Sequence, residues 1–265
     1  MAKRSAALFL LAVAATAHAE WTIRSSDLEP GRDGIAHRHV VLENANGNKS
    51  AVVELAIFSA KSCALRVIDN STFETLSATM AREKCVVGVN GGFFKPDFTP
   101  VGLLISEGKL IAPLQPARLM TGILSASTHE VQIQRLHEFS RQEKTNAAVQ
   151  SGPFLVDNDE PVPGLDASHV ARRTFVATGT NDRAVLGTCS EVSLAELAAL
   201  LTTTRLADDV KIQRALNLDG GSSSAFWFAR EKGSAFSIRE QKPVRDFVGV
   251  MKAPNSNIQR PEKSQ

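Results

Sequence analysis

The sequence has no marked excess of charge of either sign. Its 265 residues include 30 lysines and arginines and 28 aspartates and glutamates, a formal net charge of +2. Loss of Lys3 and Arg4 with a signal peptide, argued below, would leave 28 basic residues against 28 acidic ones. Nucleic-acid-binding proteins need a basic excess to neutralise phosphates. The composition therefore argues against that class of protein.

Cysteine is also scarce, with only Cys63, Cys85 and Cys189 in the chain. None of them belongs to a C-x-x-C pair and no H-x-x-x-H spacing occurs, so the sequence predicts no zinc site. In an oxidising compartment one disulfide can form, with one thiol left over. A Cys63–Cys85 bridge and buried unpaired thiols are two alternatives that the sequence supports equally.

Long hydrophobic runs are missing as well. The run from Ala6 to Ala15 is too short to span a membrane, and no later stretch is as long. A positively charged start precedes this run, and Ala17-His18-Ala19 follows it with the small residues of a cleavage site. We therefore expect residues 1–19 to be a signal peptide, cleaved after Ala19, and the protein to be periplasmic or secreted. Residues 20–252 would form the domain and residues 253–265 a disordered tail.

Most of the chain consists of short branched and apolar segments between Gly, Asn and Ser, which is typical of β-strands. A helix is predicted from Ser193, because Ser193 and Glu196 have the spacing of a capping box and an apolar stripe follows. Shorter helices are predicted over residues 73–82 and 207–214, and Pro153 predicts a bend between strands. The predicted fold class is α+β: a single domain with a mixed β-sheet and a few packed helices.

One stretch, residues 215–226, combines a strand with a glycine-rich turn. Leu216 and Leu218 alternate with Asn217 and Asp219, so a strand would place the leucines on one face and the polar side chains on the other. The two glycines that follow let backbone N–H groups approach a bound group, and three serines add hydroxyls. A carboxylate among such donors can hold an oxygen-rich ligand and act as an acid or a base. A tight turn with a solvated aspartate is the alternative.

Two other strand ends repeat this combination of a polar residue with glycine. The predicted strand ending at Val89 is followed by Asn-Gly-Gly-Phe-Phe (90–94), and another strand contains Gln-Ser-Gly-Pro (150–153). Arg173 supplies a cation in a further strand. Each cluster alone is typical of a turn, and an arginine alone is typical of a surface charge.

Taken in order, these motifs, with Arg-Thr (173–174) and Leu-Asn-Leu-Asp-Gly-Gly-Ser-Ser (216–223), resemble those of the phosphodiester glycosidase domain family over roughly residues 86–250. The resemblance implies hydrolysis of a sugar C1–O–phosphate bond to a free sugar and a phosphomonoester. Bacterial relatives are often exported and are linked by name to exopolysaccharides. Where the family has Arg-Thr-Ala-Val-Gly, this chain has Arg-Thr-Phe-Val-Ala (173–177), which predicts a different pocket wall.

Cleavage of that bond builds positive charge on the sugar and negative charge on the phosphate, so the site needs a carboxylate and hydrogen-bond donors. We expect Asp219 to act as a base towards water or to stabilise the oxocarbenium-like state. Arg173 would bind the phosphate, with Arg172 as the alternative cation. The expected catalytic residues are Asp219, Arg173 and Asn90. The expected substrate-binding residues are Gly91, Gly92, Phe93, Gln150, Ser151, Gly152, Thr174, Asn217, Gly220, Gly221, Ser222 and Ser223.

The sequence does not single out a second carboxylate, a general acid or a metal ligand set. No second carboxylate stands in a motif, and the candidates that lie near motifs are Glu107, Asp97 and Asp157, with His169 as a candidate acid. No cofactor is predicted, although Asp219 and neighbouring oxygen atoms suit a hard divalent cation.

Gly-Ser-Ser (221–223) does not match G-x-S-x-G, which argues against a serine hydrolase. The second hypothesis is a non-catalytic module that binds an envelope glycan or sugar phosphate. In either case the predicted partner is a carbohydrate, with no nucleic acid and no membrane span.

Overall fold

The computed structural model describes residues 21–142, 144–203, 205–206 and 210–254. The predicted signal peptide, residues 1–19, lies outside the described residues, as do residues 255–265 of the predicted tail. None of the helices in the described part of the chain is long and apolar enough to cross a membrane.

The described chain is mostly β structure, with two α-helices. The strands are β1 (Trp21–Pro30), β2 (Ala36–Asn44), β3 (Ser50–Ser59), β4 (Cys63–Asp69), β5 (Val87–Asn90), β6 (Leu104–Ser106), β7 (Lys109–Ala112), β8 (Gly122–Ser127), β9 (Glu130–Arg135), β10 (Ala147–Ser151), β11 (Phe154–Asp157), β12 (Glu160–Pro161), β13 (Ala171–Gly179), β14 (Arg183–Val192), β15 (Ile212–Asn217), β16 (Phe226–Phe228), β17 (Phe236–Ile238) and β18 (Asp246–Lys252). The helices are α1 (Leu76–Arg82) and α2 (Leu194–Thr203).

Within the described residues the strands form three sheets, and every pairing between them is antiparallel. The largest sheet has eight strands in the order β1-β2-β3-β14-β13-β15-β11-β12. The other two have five strands each, in the orders β7-β6-β10-β8-β9 and β17-β16-β5-β18-β4. The predicted mixed β-sheet is therefore wrong. Alternation of apolar and polar residues fixes which side chains share a face, but it does not say which strands pair.

Side chains from all three sheets meet in one central core. Val176 of the largest sheet packs there with Val149 of β10 and Val89 of β5. The opposite face of the largest sheet carries a second core, in which Phe175 packs with Leu197 of α2. Neighbouring residues of β13 thus point to different cores, as the two-residue period of a strand requires.

The helix predicted over residues 207–214 is wrong in its described part. Ile212 already belongs to β15, where it pairs with Gly179 of β13, and Ala215 pairs with Ala177. Pairing within the largest sheet overrides the weak helical pattern of this short segment. Residues 207–209 of the prediction lie outside the described residues.

The capping box predicted at the start of α2 is confirmed. The Ser193 N–H donates to Oε2 of Glu196 (2.8 Å), and the Glu196 N–H donates to Oγ of Ser193 (3.2 Å). Leu197 and Leu201 are buried in the second core, which confirms the predicted apolar stripe. The cap and the stripe together fix both the first residue and the buried face of this helix.

Helix α1 begins three residues later than predicted. The hydroxyl of Thr75 accepts a hydrogen bond from the Ala78 N–H and so caps the helix at Leu76. Phe73 lies before this cap with φ +60°, in the left-handed region that an α-helix does not use.

The three cysteines are free and buried in the structure, which corresponds to the second of the two alternatives above. Desolvation by burial raises the pKa of both Cys85 and Cys189 to about 12. These two thiols therefore stay protonated at neutral pH and pack as small hydrophobic groups.

The predicted bend at Pro153 is the point where the chain moves from one sheet to another. β10 pairs with β6 and β8, whereas β11 pairs with β15 and β12. The end of β10 therefore lies next to the end of β15, and the Asn217 N–H donates to the Pro153 carbonyl (3.1 Å).

Candidate active site

Asn90 links three of the motifs that the sequence singled out. Its completely buried side chain donates from Nδ2 to the Asp219 carbonyl (2.6 Å). Its Oδ1 accepts hydrogen bonds from the Thr174 hydroxyl (2.7 Å) and the Ala225 N–H (3.0 Å). The end of β5, the start of β13 and the turn after β15 are thus held together by one amide. Asn90 fixes the geometry of this region through contacts within the protein.

The turn at Gly91 and Gly92 brings Asp219 close to a second carboxyl group, that of Asp246. The Gly91 carbonyl accepts the Asp219 N–H (3.0 Å), and the Gly92 N–H donates to Oδ1 of Asp246 (2.9 Å). A Cβ atom on residue 91 would lie 1.8 Å from that Oδ1, so only glycine permits this approach. Asp246, the first residue of β18, is the second carboxyl group that motif analysis missed. The only sequence signal for it is an acidic residue at the start of an apolar strand.

Complete burial of Asp246 raises its pKa to about 6. The negative charges of Asp219 and Asp69 contribute to this rise in pKa, while the Gly92 N–H and the positive charge of Arg245 act in the opposite direction. Because desolvation is the largest of these effects, Asp246 holds its proton to a higher pH than an ordinary aspartate.

Burial also raises the pKa of Asp219, although three neighbours oppose the shift. The Ser223 hydroxyl, the positive charge of Lys242 and the Gly220 N–H each favour the charged carboxylate. Asp219 is partly exposed, whereas Asp246 is enclosed. Asp219 is therefore the carboxyl group of the pair that a ligand can reach.

Arg172 and Lys242 are cations beside the turn that carries Asp219. Nε of Arg172 donates to the Gly221 carbonyl (3.1 Å), and its buried Nη2 has no hydrogen-bond partner among the described residues. Lys242 is exposed and close enough for its charge to act on Asp219. Lys242 was not singled out from the sequence, where it stands in a polar segment without a motif.

Arg173, the cation first expected to bind phosphate, is engaged with the backbone. Nε donates to the Val192 carbonyl (3.0 Å), and Nη2 donates to the His169 carbonyl. Arg173 is buried, and desolvation lowers its pKa. Its neighbour Thr174 points to the other face of β13, where Asn90 lies. Of the two arginines that the sequence left open, the geometry favours Arg172 as the ligand-binding cation.

The side chain of Gln150 is fully engaged by the protein itself. Oε1 accepts the N–H groups of Leu103 (3.0 Å) and Gln115 (3.1 Å), and Nε2 donates to the carbonyls of Gln115 (2.6 Å) and Met120 (3.4 Å). These four hydrogen bonds use the whole capacity of the amide. Gln150 therefore holds neighbouring segments in place, which is a different role from the sugar binding expected of it.

Buried polar atoms without a hydrogen-bond partner in the described part of the protein are found at the same motifs. Nδ2 of Asn217 donates to the carbonyls of Gly152 (2.9 Å) and Leu218 (2.7 Å), but its Oδ1 is unpaired. Two further atoms of this kind are Oγ of Ser151 and Oγ of Ser224. Buried polar groups are normally paired with protein or water, so each of these atoms has the capacity to bind a water molecule or a ligand.

The remaining predicted residues form the turns around these side chains. Gly221 has φ +61°, in the left-handed region that favours glycine, and its carbonyl also accepts the Ser224 N–H (3.2 Å). The Phe93 carbonyl accepts the Val101 N–H (2.9 Å). Gly220, Ser222 and Ser223 belong to the 3₁₀ turn that follows Asp219.

The carboxylates proposed only for their position near a motif are engaged elsewhere. Glu107 pairs with Arg66 (2.5 Å) and Asp157 with Arg135 (2.8 Å), while Asp97 accepts two hydrogen bonds within its own turn. Among the described residues, no group of three or more His, Cys, Asp or Glu side chains is arranged to hold a metal ion.

The model of the phosphodiester glycosidase family matches residues 83–251, which is more than half of the chain. This range contains Asn90, Arg172, Asp219 and Asp246. The protein therefore belongs to the phosphodiester glycosidase family, as its motifs predicted.

Solved structures share the fold at low sequence identity. The catalytic domain of zebrafish N-acetylglucosamine-1-phosphodiester alpha-N-acetylglucosaminidase, auto-inhibited by its pro-peptide, has a TM-score of 0.62 and 14% identity over 85% of this chain and 87% of that chain. A hypothetical protein from Synechocystis has a TM-score of 0.59 and 15% identity, and the match covers 82% of this chain and 62% of that chain. A putative exported protein from Burkholderia pseudomallei has a TM-score of 0.52 and 13% identity over 76% of this chain and 74% of that chain. No curated protein sequence matches the chain significantly.

Proposed function

We propose that the protein is an exported hydrolase that cleaves the bond between C1 of a sugar and the oxygen of a phosphodiester. The observation that carries the proposal is the meeting of Asp219 and Asp246 at the Gly91–Gly92 turn, beside the cations Arg172 and Lys242. Family membership supports the reaction class, and the zebrafish neighbour supports N-acetylglucosamine as the first sugar to test. The Burkholderia pseudomallei neighbour, described as a putative exported protein, supports the location. Envelope glycans or exopolysaccharides are the proposed source of the substrate.

In this reaction the two carboxyl groups have different tasks. Asp219 is partly exposed and has three neighbours that favour its charged form. It stabilises positive charge at C1 or activates the attacking water. Asp246 is enclosed and is connected to Asp219 by the glycine turn. It is a positioning residue, which accepts the Gly92 N–H and so fixes the turn whose Gly91 carbonyl accepts the Asp219 N–H.

The phosphate must be bound and its developing charge stabilised as the bond to C1 breaks. Nη2 of Arg172 is a buried donor without a described partner, and Lys242 adds a positive charge on the same side as Asp219. A phosphomonoester leaves readily, so charge stabilisation by these donors can replace a strong general acid.

Arg172→Met is expected to lower kcat/KM by about 10- to 100-fold, because one charge-assisted contact to the phosphate is lost. Arg173→Met is expected instead to lower the melting temperature by several degrees, since the Val192 and His169 carbonyls lose a buried donor. Steady-state kinetics and thermal unfolding of both variants separate the two roles. A fully active Arg172→Met, together with an inactive Arg173→Met of normal melting temperature, would reverse the assignment.

The competing hypothesis is a module that binds a sugar phosphate without turnover. Purified protein is incubated with UDP-N-acetylglucosamine and with a simple alkyl phosphodiester of α-N-acetylglucosamine, and free sugar is measured against time. We expect release of free sugar that Asp219→Asn abolishes. Tight binding by calorimetry without release of sugar would contradict the enzymatic proposal and support the module.

A further inference from the structure

We propose that three phenylalanines beside the carboxyl pair form a subsite for an apolar aglycone, the group esterified to the phosphate on the side away from the sugar. The inference rests on the proposed function. The residues Phe73, Phe94 and Phe98 are called the aromatic ridge below. Ring centroids are 4.4 Å apart for Phe73 and Phe98, and 5.0 Å apart for Phe94 and Phe98. Phe73 is 56% exposed, so the ridge presents ring surface to solvent.

Lys242 connects the ridge to the reaction centre. Its Nζ lies 5.7 Å from the centroid of the Phe94 ring, and its charge also acts on Asp219. The segment before Lys242 is fixed on the Asp219 turn, because the Gln241 N–H donates to the Ser222 carbonyl (2.8 Å). A phosphate held by Lys242 therefore lies near both the Asp219 carboxylate and the Phe94 ring.

The short spacing of Phe94 and Gly92 in the sequence also places the ridge near the carboxyl pair. Phe94 follows Gly92 by two residues, and the N–H of Gly92 is bonded to Asp246. Two extended residues span at most about 7 Å, so the Cα atom of Phe94 lies within about 7 Å of the Cα atom of Gly92. The ridge therefore begins close to the carboxyl pair. A substrate with its sugar at Asp219 and its phosphate at Lys242 places its second ester group along the rings.

The turn that carries Phe98 is an ordered structure. Phe98 has φ +68°, an unfavourable conformation for a bulky residue. The turn is closed by hydrogen bonds from the Lys95 N–H to the Thr99 carbonyl (2.9 Å) and from the Phe98 N–H to the Lys95 carbonyl (2.8 Å). Asp97 accepts from both the N–H and the hydroxyl of Thr99. Strained conformations held by such networks are typical of functional sites.

Phe73 is held in the same way, also with a positive φ of +60°. The buried Asn70 accepts the Glu74 N–H (3.0 Å) and donates to the carbonyls of Glu74 (3.0 Å) and Val244 (2.8 Å). The turn between Asn70 and Glu74 is thereby fixed with the phenylalanine ring directed towards Phe98. Two separate segments hold aromatic rings in strained backbone at one place, where Phe98 is half-buried and Phe73 is exposed. Burial in the core does not explain the position of Phe73.

The aromatic side chains of the ridge determine which class of ligand it binds. Aromatic side chains contribute contact area to apolar or aromatic groups, and pre-ordered rings lose little entropy on binding. A hydrocarbon or aromatic ester group on the phosphate gains this contact, whereas a methyl group is too small to cover the rings. The structure thus points to substrates whose phosphate links the sugar to an apolar alcohol.

The test uses the full chain and three phosphodiesters of α-N-acetylglucosamine 1-phosphate that differ only in the second alcohol: methyl, n-octyl and 2-phenylethyl. We expect KM to be at least about tenfold lower for the two larger esters, with similar kcat. Phe98→Ala and Phe73→Ala should each raise KM for the two larger esters and so reduce that preference. Leu28→Ala is the matched control, because Leu28 is an apolar residue of β1 with a similar exposed fraction of 58%.

Binding of the phosphomonoesters separates this proposal from the proposed function. Calorimetry compares 2-phenylethyl phosphate with methyl phosphate in the unmodified protein and the ridge variants, and requires no turnover. Tighter binding of the larger phosphate that depends on Phe98 supports the subsite even if no ester is hydrolysed. Equal KM values and equal phosphate affinities for small and large groups would overturn the subsite, even if all three esters are hydrolysed. A preference that both alanine variants retain would also overturn it.

Discussion

Asp219→Asn should reduce kcat for a glycosyl phosphodiester by about a thousandfold or more while the protein stays folded. Asparagine has nearly the same shape as aspartate. It cannot carry the negative charge that stabilises the sugar or accept a proton from water. The backbone of residue 219, which binds Asn90 and Gly91, is unchanged by the substitution. Release of free sugar, measured at saturating substrate, gives kcat directly.

Asp27→Asn is the control for this result, because Asp27 is an exposed carboxylate on β1. It should retain the activity of the unmodified protein. A fully active Asp219→Asn would remove Asp219 from the reaction and leave the carboxyl pair without a chemical role.

Asp246→Asn should change how stability depends on pH. The folded protein holds the proton of Asp246 up to a pKa of about 6, against an ordinary value of 3.8. The unfolded chain thus loses this proton first as the pH rises, and the free energy of unfolding falls by about 3 kcal/mol in total, mostly between about pH 4 and pH 6. Asparagine does not titrate, so the free energy of unfolding of the variant lacks this decrease with pH.

The measurement is urea unfolding of both proteins from pH 4 to pH 8. The free energy of unfolding of the unmodified protein, minus that of Asp246→Asn, should fall by about 3 kcal/mol over this range. Asp27→Asn, which replaces an exposed carboxylate on β1, provides the control. A difference that is constant or rises with pH for Asp246→Asn would show that the carboxyl group is ionised without penalty in the folded protein.

Local features of the fold were predictable where one short-range interaction decides the structure. The capping box at Ser193 and Glu196, and the bend at Pro153, are examples. Strand partners are decided by contacts between distant residues, so the division into three antiparallel sheets was not predictable from alternation. The segment 212–214 shows the same limit, because pairing with β13 decides that it is a strand.

The candidate site was predictable to the extent that its residues stand in motifs. Asn90, Thr174 and Asp219 were all singled out, and the structure joins them by direct hydrogen bonds. Asp246 stands alone in the sequence, and only the close approach of Gly91 brings it to Asp219. A motif also does not reveal the direction of a side chain. Gln150 was therefore expected to bind substrate, although its amide is engaged by the backbone.

The most direct test of the proposed reaction identifies the bond that breaks. Hydrolysis of an alkyl α-N-acetylglucosaminyl phosphodiester is run in water labelled with oxygen-18, and the phosphomonoester is analysed by mass spectrometry. Attack at C1, assisted by Asp219, places the heavy oxygen in the sugar and leaves the phosphomonoester unlabelled. A labelled phosphomonoester would mean attack at phosphorus and would contradict a glycosidase centred on Asp219.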